Sequence, residues 1–143
     1  MIQRMQSVWL FLAALLNGAL FISPLYKYQS AEASDNLLSA NNFYPLMIIA
    51  AVITFMPLMT IFLFKNRKKQ IRMIVVSILA TISFIAVMMM RISSIKKGLP
   101  EPINDQYLIP GSLLPVVAIL FMIVAIRGVN KDEKLVKSMD RLR

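Results

Sequence analysis

The sequence predicts an all-α fold: an integral membrane four-helix bundle with a C-terminal amphipathic cytoplasmic helix. Three observations predict it. Four apolar runs, each near the length that crosses a bilayer, divide the chain. The charged residues gather between and after these runs. One intervening stretch, 65–72 (Lys-Asn-Arg-Lys-Lys-Gln-Ile-Arg), carries five positive charges in eight residues.

Composition agrees. Hydrophobic residues fill 58% of the 143 positions, and mean hydropathy is +0.68, both high for a soluble domain. The length suits one membrane domain, residues 1–143. The chain has no cysteine and no histidine. That excludes Cys/His zinc sites, thiol nucleophiles and histidine acid–base chemistry. A net charge of +9 also suits nucleic-acid binders. Here the bases flank apolar runs, so no nucleic-acid partner is expected.

The first span is placed at about 8–25. Its 18 residues reach about 27 Å as a helix, near the hydrocarbon thickness. Arg4 and Ala31-Glu32-Ala33 have the parts of a secretory signal. The run is longer than an h-region needs, and the cleavage-like site lies well past its end, so a retained span is expected. The polar stretch 26–44, bracketed by Tyr26, Tyr28 and Tyr44, reads as an interfacial loop.

The second span, about 46–64, has no charge and contains Pro57. A neighbouring helix, or the nearby Thr54 and Thr60, are the candidates to satisfy the carbonyl that the proline frees. The basic turn follows, then the third span at about 73–90. Residues 91–109 read as an irregular connection rich in glycine and proline. The fourth span is placed at about 110–126, with Pro115 in its first turn, where proline costs little. In the tail, 127–143, Asn130 and Glu133 have capping-box spacing. Leu135, Met139 and Leu142 mark one helical face and lysines and arginines the other, as in a helix lying on a membrane surface.

Charge sets the orientation. With the 65–72 turn and both termini cytoplasmic, twelve bases lie inside; Lys27, Arg91, Lys96 and Lys97 lie outside. The inner bases form a candidate lipid- or partner-binding face: Lys65, Arg67, Lys68, Lys69, Arg72, Lys131, Lys134, Lys137, Arg141 and Arg143. Anionic lipid headgroups are its expected partner.

The two ends are the most specific part of the chain: Met1-Ile2-Gln3-Arg4-Met5-Gln6-Ser7 leading into a span, and Lys131-Asp132-Glu133-Lys134-Leu135-Val136-Lys137-Ser138-Met139-Asp140-Arg141-Leu142-Arg143 closing the chain. This pairing resembles a bacterial family of small four-span membrane proteins, domain of unknown function 4293. The resemblance covers the whole length. It implies a multi-pass protein of the bacterial inner (cytoplasmic) membrane and brings no catalytic residue with it.

Ionisable residues within spans mark ion and proton pathways, and the four apolar cores contain none. The polar or small candidates for helix packing, or for a polar track, are Ala14, Asn17, Gly18, Thr54, Ser77 and Thr81. Asn17 shares a helical face with Gln3, Gln6, Ala13, Ala14 and Gly18. Met88, Met89 and Met90 diverge around a helix and read as apolar filling, not a copper site. Glu32/Asp35 and Glu101/Asp105 are acidic pairs that could approach each other outside. No catalytic, metal or cofactor residue is expected, and the chain reads as a non-enzyme. Two functions follow. One is an accessory or scaffold subunit, joined to a membrane-protein partner or to copies of itself. The other is a transporter or channel for a neutral or lipophilic solute.

Overall fold

A computed structural model describes residues 3–30, 33–64, 66–98 and 104–140. Four helices dominate: α1 Gln3–Gly18, α2 Tyr44–Phe62, α3 Arg67–Gly98 and α4 Ile109–Asp140. They form a ring. α1 packs most extensively on α4 and next on α2, α2 packs on α3, and α3 closes on α4. Gln6 of α1 bonds Asp132 late in α4. At the other end, the start of α4 lies against Pro24, just beyond α1.

One spacing governs the interior. The buried positions are Gln6, Leu10, Ala13, Ala14 and Asn17 in α1, and Leu46, Ala50, Ile53, Pro57 and Thr60 in α2. In α3 they are Gln70, Ile74, Ser77, Thr81, Phe84, Met88 and Ile92. In α4 they are Gly111, Pro115, Ala118, Met122, Ala125, Val129 and Asp132. Ala14 and Ile92 aside, steps of four and three alternate, the 3.5-residue period of helices wrapped in a left-handed bundle. Many stripe residues are small or polar, while Phe11, Leu15, Phe55, Phe62, Leu79, Met90 and Leu120 are exposed. Helices surrounded by lipid gain nothing by hiding leucine, so they associate through close approach and hydrogen bonds.

The first connection, expected as a loop, is a hairpin of β1 Pro24–Ser30 and β2 Ala33–Ser39. The second supplies β3 Asn104–Tyr107, and the order β2-β1-β3 is antiparallel throughout. The all-α description is therefore approximate. Tyr26 pairs with Leu38 on one side and Tyr107 on the other. Leu25, Tyr26 and Leu38 join Ile53, Phe84, Met88 and Ile92 in a core that fixes the sheet to the end of the bundle. A second core, Leu10, Ala13, Ile74, Ala118 and Met122, joins α1, α3 and α4. Asp35 and Asp105 lie on strands flanking β1, so their backbones stand about 10 Å apart across it. Glu32 and Glu101 lie outside the described residues.

Helix ends also differ from expectation. α1 begins before residue 8 and ends at Gly18; a 3₁₀ turn, Ala19–Phe21, follows, and Leu25 belongs to β1. α3 continues to Gly98, so Arg91, Lys96 and Lys97 stand on a helix and not in an irregular connection. α4 runs unbroken into the tail, which is helical as expected but continuous with the fourth apolar run. Asn130 and Glu133 are thus mid-helix, not at a helix start. Pro115 lies in the second turn of α4, inside the helix. α2, α3 and Gly111–Glu133 are long and apolar enough to cross a membrane; Met5–Phe21 is a shorter apolar helix.

Candidate functional site

The α1–α2 seam gathers most of the polar and small candidates. Pro57 has no N–H, so the Ile53 carbonyl one turn earlier lacks its helical donor. Asn17 supplies one: its Nδ2 donates to Ile53 O at 2.9 Å. The threonines do not take this role. Thr54 Oγ1 donates to Ala50 O at 2.7 Å and Thr60 Oγ1 to Met56 O at 2.8 Å. Asn17 is fully buried, and its Oδ1 has no hydrogen-bond partner. Ala14, Gly18 and Thr54 line a groove of about 370 Å³ beside the seam, with Phe11, Leu15 and Leu58. Ser77 and Thr81 stand one turn apart on the buried stripe of α3, donating to Met73 O at 2.9 Å and Ser77 O at 2.8 Å. These hydroxyls are committed to their own helix.

The opposite end of the molecule from the sheet is basic and polar. Each stripe ends there in a polar residue: Gln6, Thr60, Gln70 and Asp132, all buried. Gln6 Nε2 donates to the Asp132 carboxylate. The sequence places Gln6 on the Asn17 face, while Asp132 stands in the charged tail with nothing adjacent in the chain to mark it as buried. Its signal is the unbroken spacing from Met122 through Ala125 and Val129.

Asn66 caps α3, accepting from Lys69 N–H through Oδ1 at 3.3 Å. The predicted turn is therefore largely helix, with Arg67, Lys68, Lys69 and Arg72 in the first two turns of α3. Lys68, Lys69, Arg72 and Lys131 are exposed; Arg67 is half-buried, and its Nη1 has no hydrogen-bond partner. Lys65, Arg141 and Arg143 lie outside the described residues, as do the side chains of Lys134 and Lys137.

Cations at the sheet end have local explanations that the sequence did not suggest. Arg91 sits over the Phe43 ring at 4.6 Å. Lys96 lies 5.8 Å from the Tyr26 ring and 5.7 Å from that of Tyr107. Lys96 and Lys97 also occupy the last turn of α3, where positive charge suits the helix dipole. Among the described residues, no group of three acids, histidines or cysteines could hold a metal ion.

Polar stripes inside, apolar side chains outside and three helices of membrane-spanning length define a helical bundle of the membrane-protein class. The chain belongs to the family described as domain of unknown function (DUF4293), which it matches over residues 2–142. No curated protein and no solved structure matches it.

Proposed function

We propose that this chain is a non-enzymatic, multi-pass protein of the bacterial inner membrane, with four spans and both termini cytoplasmic. It serves as an accessory or scaffold subunit, and its basic end is the cytoplasmic docking surface. The inverted burial carries this reading: Asn17, Gln70, Ser77 and Thr81 are buried while Phe55, Phe62 and Met90 are exposed. The placement of Lys96 and Lys97 supports the orientation, because a local dipole accounts for two of the bases that oppose it. Hydroxyls turned onto their own helices support assembly over transport. Extraction in mild detergent followed by crosslinking is the test. A reproducible partner, or a homo-oligomer, is expected; a protein that migrates alone and crosslinks to nothing sinks the subunit reading.

One observation favours the second reading, a path for a neutral or lipophilic solute: the partnerless Oδ1 of buried Asn17. Flux into liposomes that is lost in Asn17→Leu while the fold is retained would decide for it.

A further inference from the structure

The bases that open α3 stand at the wrong end of their helix. They face the positive end of its dipole, and no acid stands in its first turn. Each therefore lowers helix stability where it is, and a negative group from outside the chain would reverse that. Lys69 and Arg72 line a groove of about 450 Å³ with Leu63 and Met73. Met73 is also a wall of a second groove, about 330 Å³, whose other walls are Ala51, Val52, Phe55, Met56 and Met59. Met73 lines both, the first beside the α2–α3 turn and the second along α2. The first offers cations; the second offers an apolar trough with flexible methionines that adapt to a chain laid against them. Val52, Phe55 and Met59 are exposed.

We propose that this composite groove binds one anionic phospholipid. Lys69 and Arg72 hold the phosphate, the guanidinium through paired N–H donors, and an acyl chain lies along Ala51 to Met59. Arg67, whose buried Nη1 has no hydrogen-bond partner, adds positive charge in the same turn. An acidic soluble protein would use the cations and leave the trough bare. A zwitterionic lipid would fill the trough and offer its phosphate, but would set its own ammonium group against Lys69 and Arg72, leaving no net charge neutralised. An anionic lipid satisfies both. The proposal rests on the membrane reading above.

The test uses the full chain in detergent, offered equal amounts of phosphatidylglycerol and phosphatidylcholine and read by native mass spectrometry. Phosphatidylglycerol should be retained preferentially. Lys69→Gln with Arg72→Gln should reduce its retention roughly 30-fold, about fivefold for each base near an anionic headgroup. The exposed pair Lys68→Gln with Lys131→Gln should change it little. Equal retention of the two lipids overturns the proposal. So does an equal loss from both variant pairs, which would mean diffuse attraction. Glycerol phosphate binding as tightly as phosphatidylglycerol would remove the trough from the site and overturn it too. Alkaline carbonate extraction separates the two failures. A chain released from membranes by carbonate ends the membrane reading itself; a chain that stays embedded yet does not select phosphatidylglycerol ends only the lipid site.

Discussion

Pro57 removes the donor that Ile53 O would meet one turn later, and Asn17 replaces it from another helix. The bond joins two elements, so its loss is felt by the seam and not by α2 alone. Asn17→Leu should lower stability by about 1–3 kcal/mol, because a buried carbonyl loses its partner. Pro57→Ala restores an N–H one turn below Ile53. In that background Asn17→Leu should cost less than half as much, a coupling that thermal unfolding in detergent would read as a double-mutant cycle. Equal costs in both backgrounds would break the link. Gly111 makes a second residue-scale case. A Cβ there would stand 2.2 Å from Pro24 O and 2.9 Å from Pro24 C. Alanine gains about 1 kcal/mol of helix propensity, but backbone atoms cannot rotate away from the clash. Gly111→Ala should therefore cost roughly 1–3 kcal/mol net. Gly98→Ala, with nothing within 4 Å of its Cβ, should be neutral or mildly stabilising.

At the scale of elements, α4 is one helix across the boundary between apolar run and tail. Lys131 tests this, because its side chain is exposed. If a new helix began at Asn130, position 131 would be its first residue and proline would be welcome. Within a continuous helix, Lys131→Pro should cost about 3 kcal/mol relative to Lys131→Ala, read by unfolding followed through far-ultraviolet dichroism. The heptad spacing of Ala118, Met122, Ala125, Val129 and Asp132 was legible in the chain. It was obscured because hydropathy drops at Arg127 and the capping pattern offers a plausible restart. The helices were legible for a simple reason: runs such as 46–64 have no charge and exceed any ordinary strand. The sheet was not. β2 (Ala-Ser-Asp-Asn-Leu-Leu-Ser) and β3 (Asn-Asp-Gln-Tyr) consist largely of poor strand formers. β1 buries the adjacent residues Leu25 and Tyr26, so it lacks the in-out alternation of a half-buried strand. Long-range pairing decides these strands, and single-sequence periodicity does not carry it. Of the candidate site, Asn17 was legible as a buried polar residue in need of a partner. That the partner is Ile53 O followed from Pro57, whose register against α1 only the packed bundle fixes.

For the whole molecule, the cysteine-free sequence permits a topology map by single substitutions. Cysteines at Ser34 and Ser94 should react with an impermeant maleimide in intact cells. Those at Asn66 and Ser138 should react only after the membrane is opened. Labelling at Asn66 from outside would overturn the proposed orientation. Neutralising Lys65, Arg67, Lys68, Lys69 and Arg72 together should produce a mixed population, with some chains inverted. Charge at the basic end thus has two separable roles, setting the orientation during insertion and holding a headgroup afterwards. Only the second depends on which bases line the α2–α3 groove.

The pairing of β1 with both neighbours has a consequence for the order in which the molecule is made. β2 follows β1 at once, so half of the sheet can form early. β3 is synthesised only after α2 and α3 have both been completed. Until then one edge of β1, from Tyr26 to Gln29, presents unpaired backbone groups, the kind of edge that recruits foreign strands. A chain halted after α2 would carry that open edge, whereas a finished chain covers it with its own segment. The small sheet is in this sense a completion mark: its third strand closes only when the helices on both sides of the basic turn are in place.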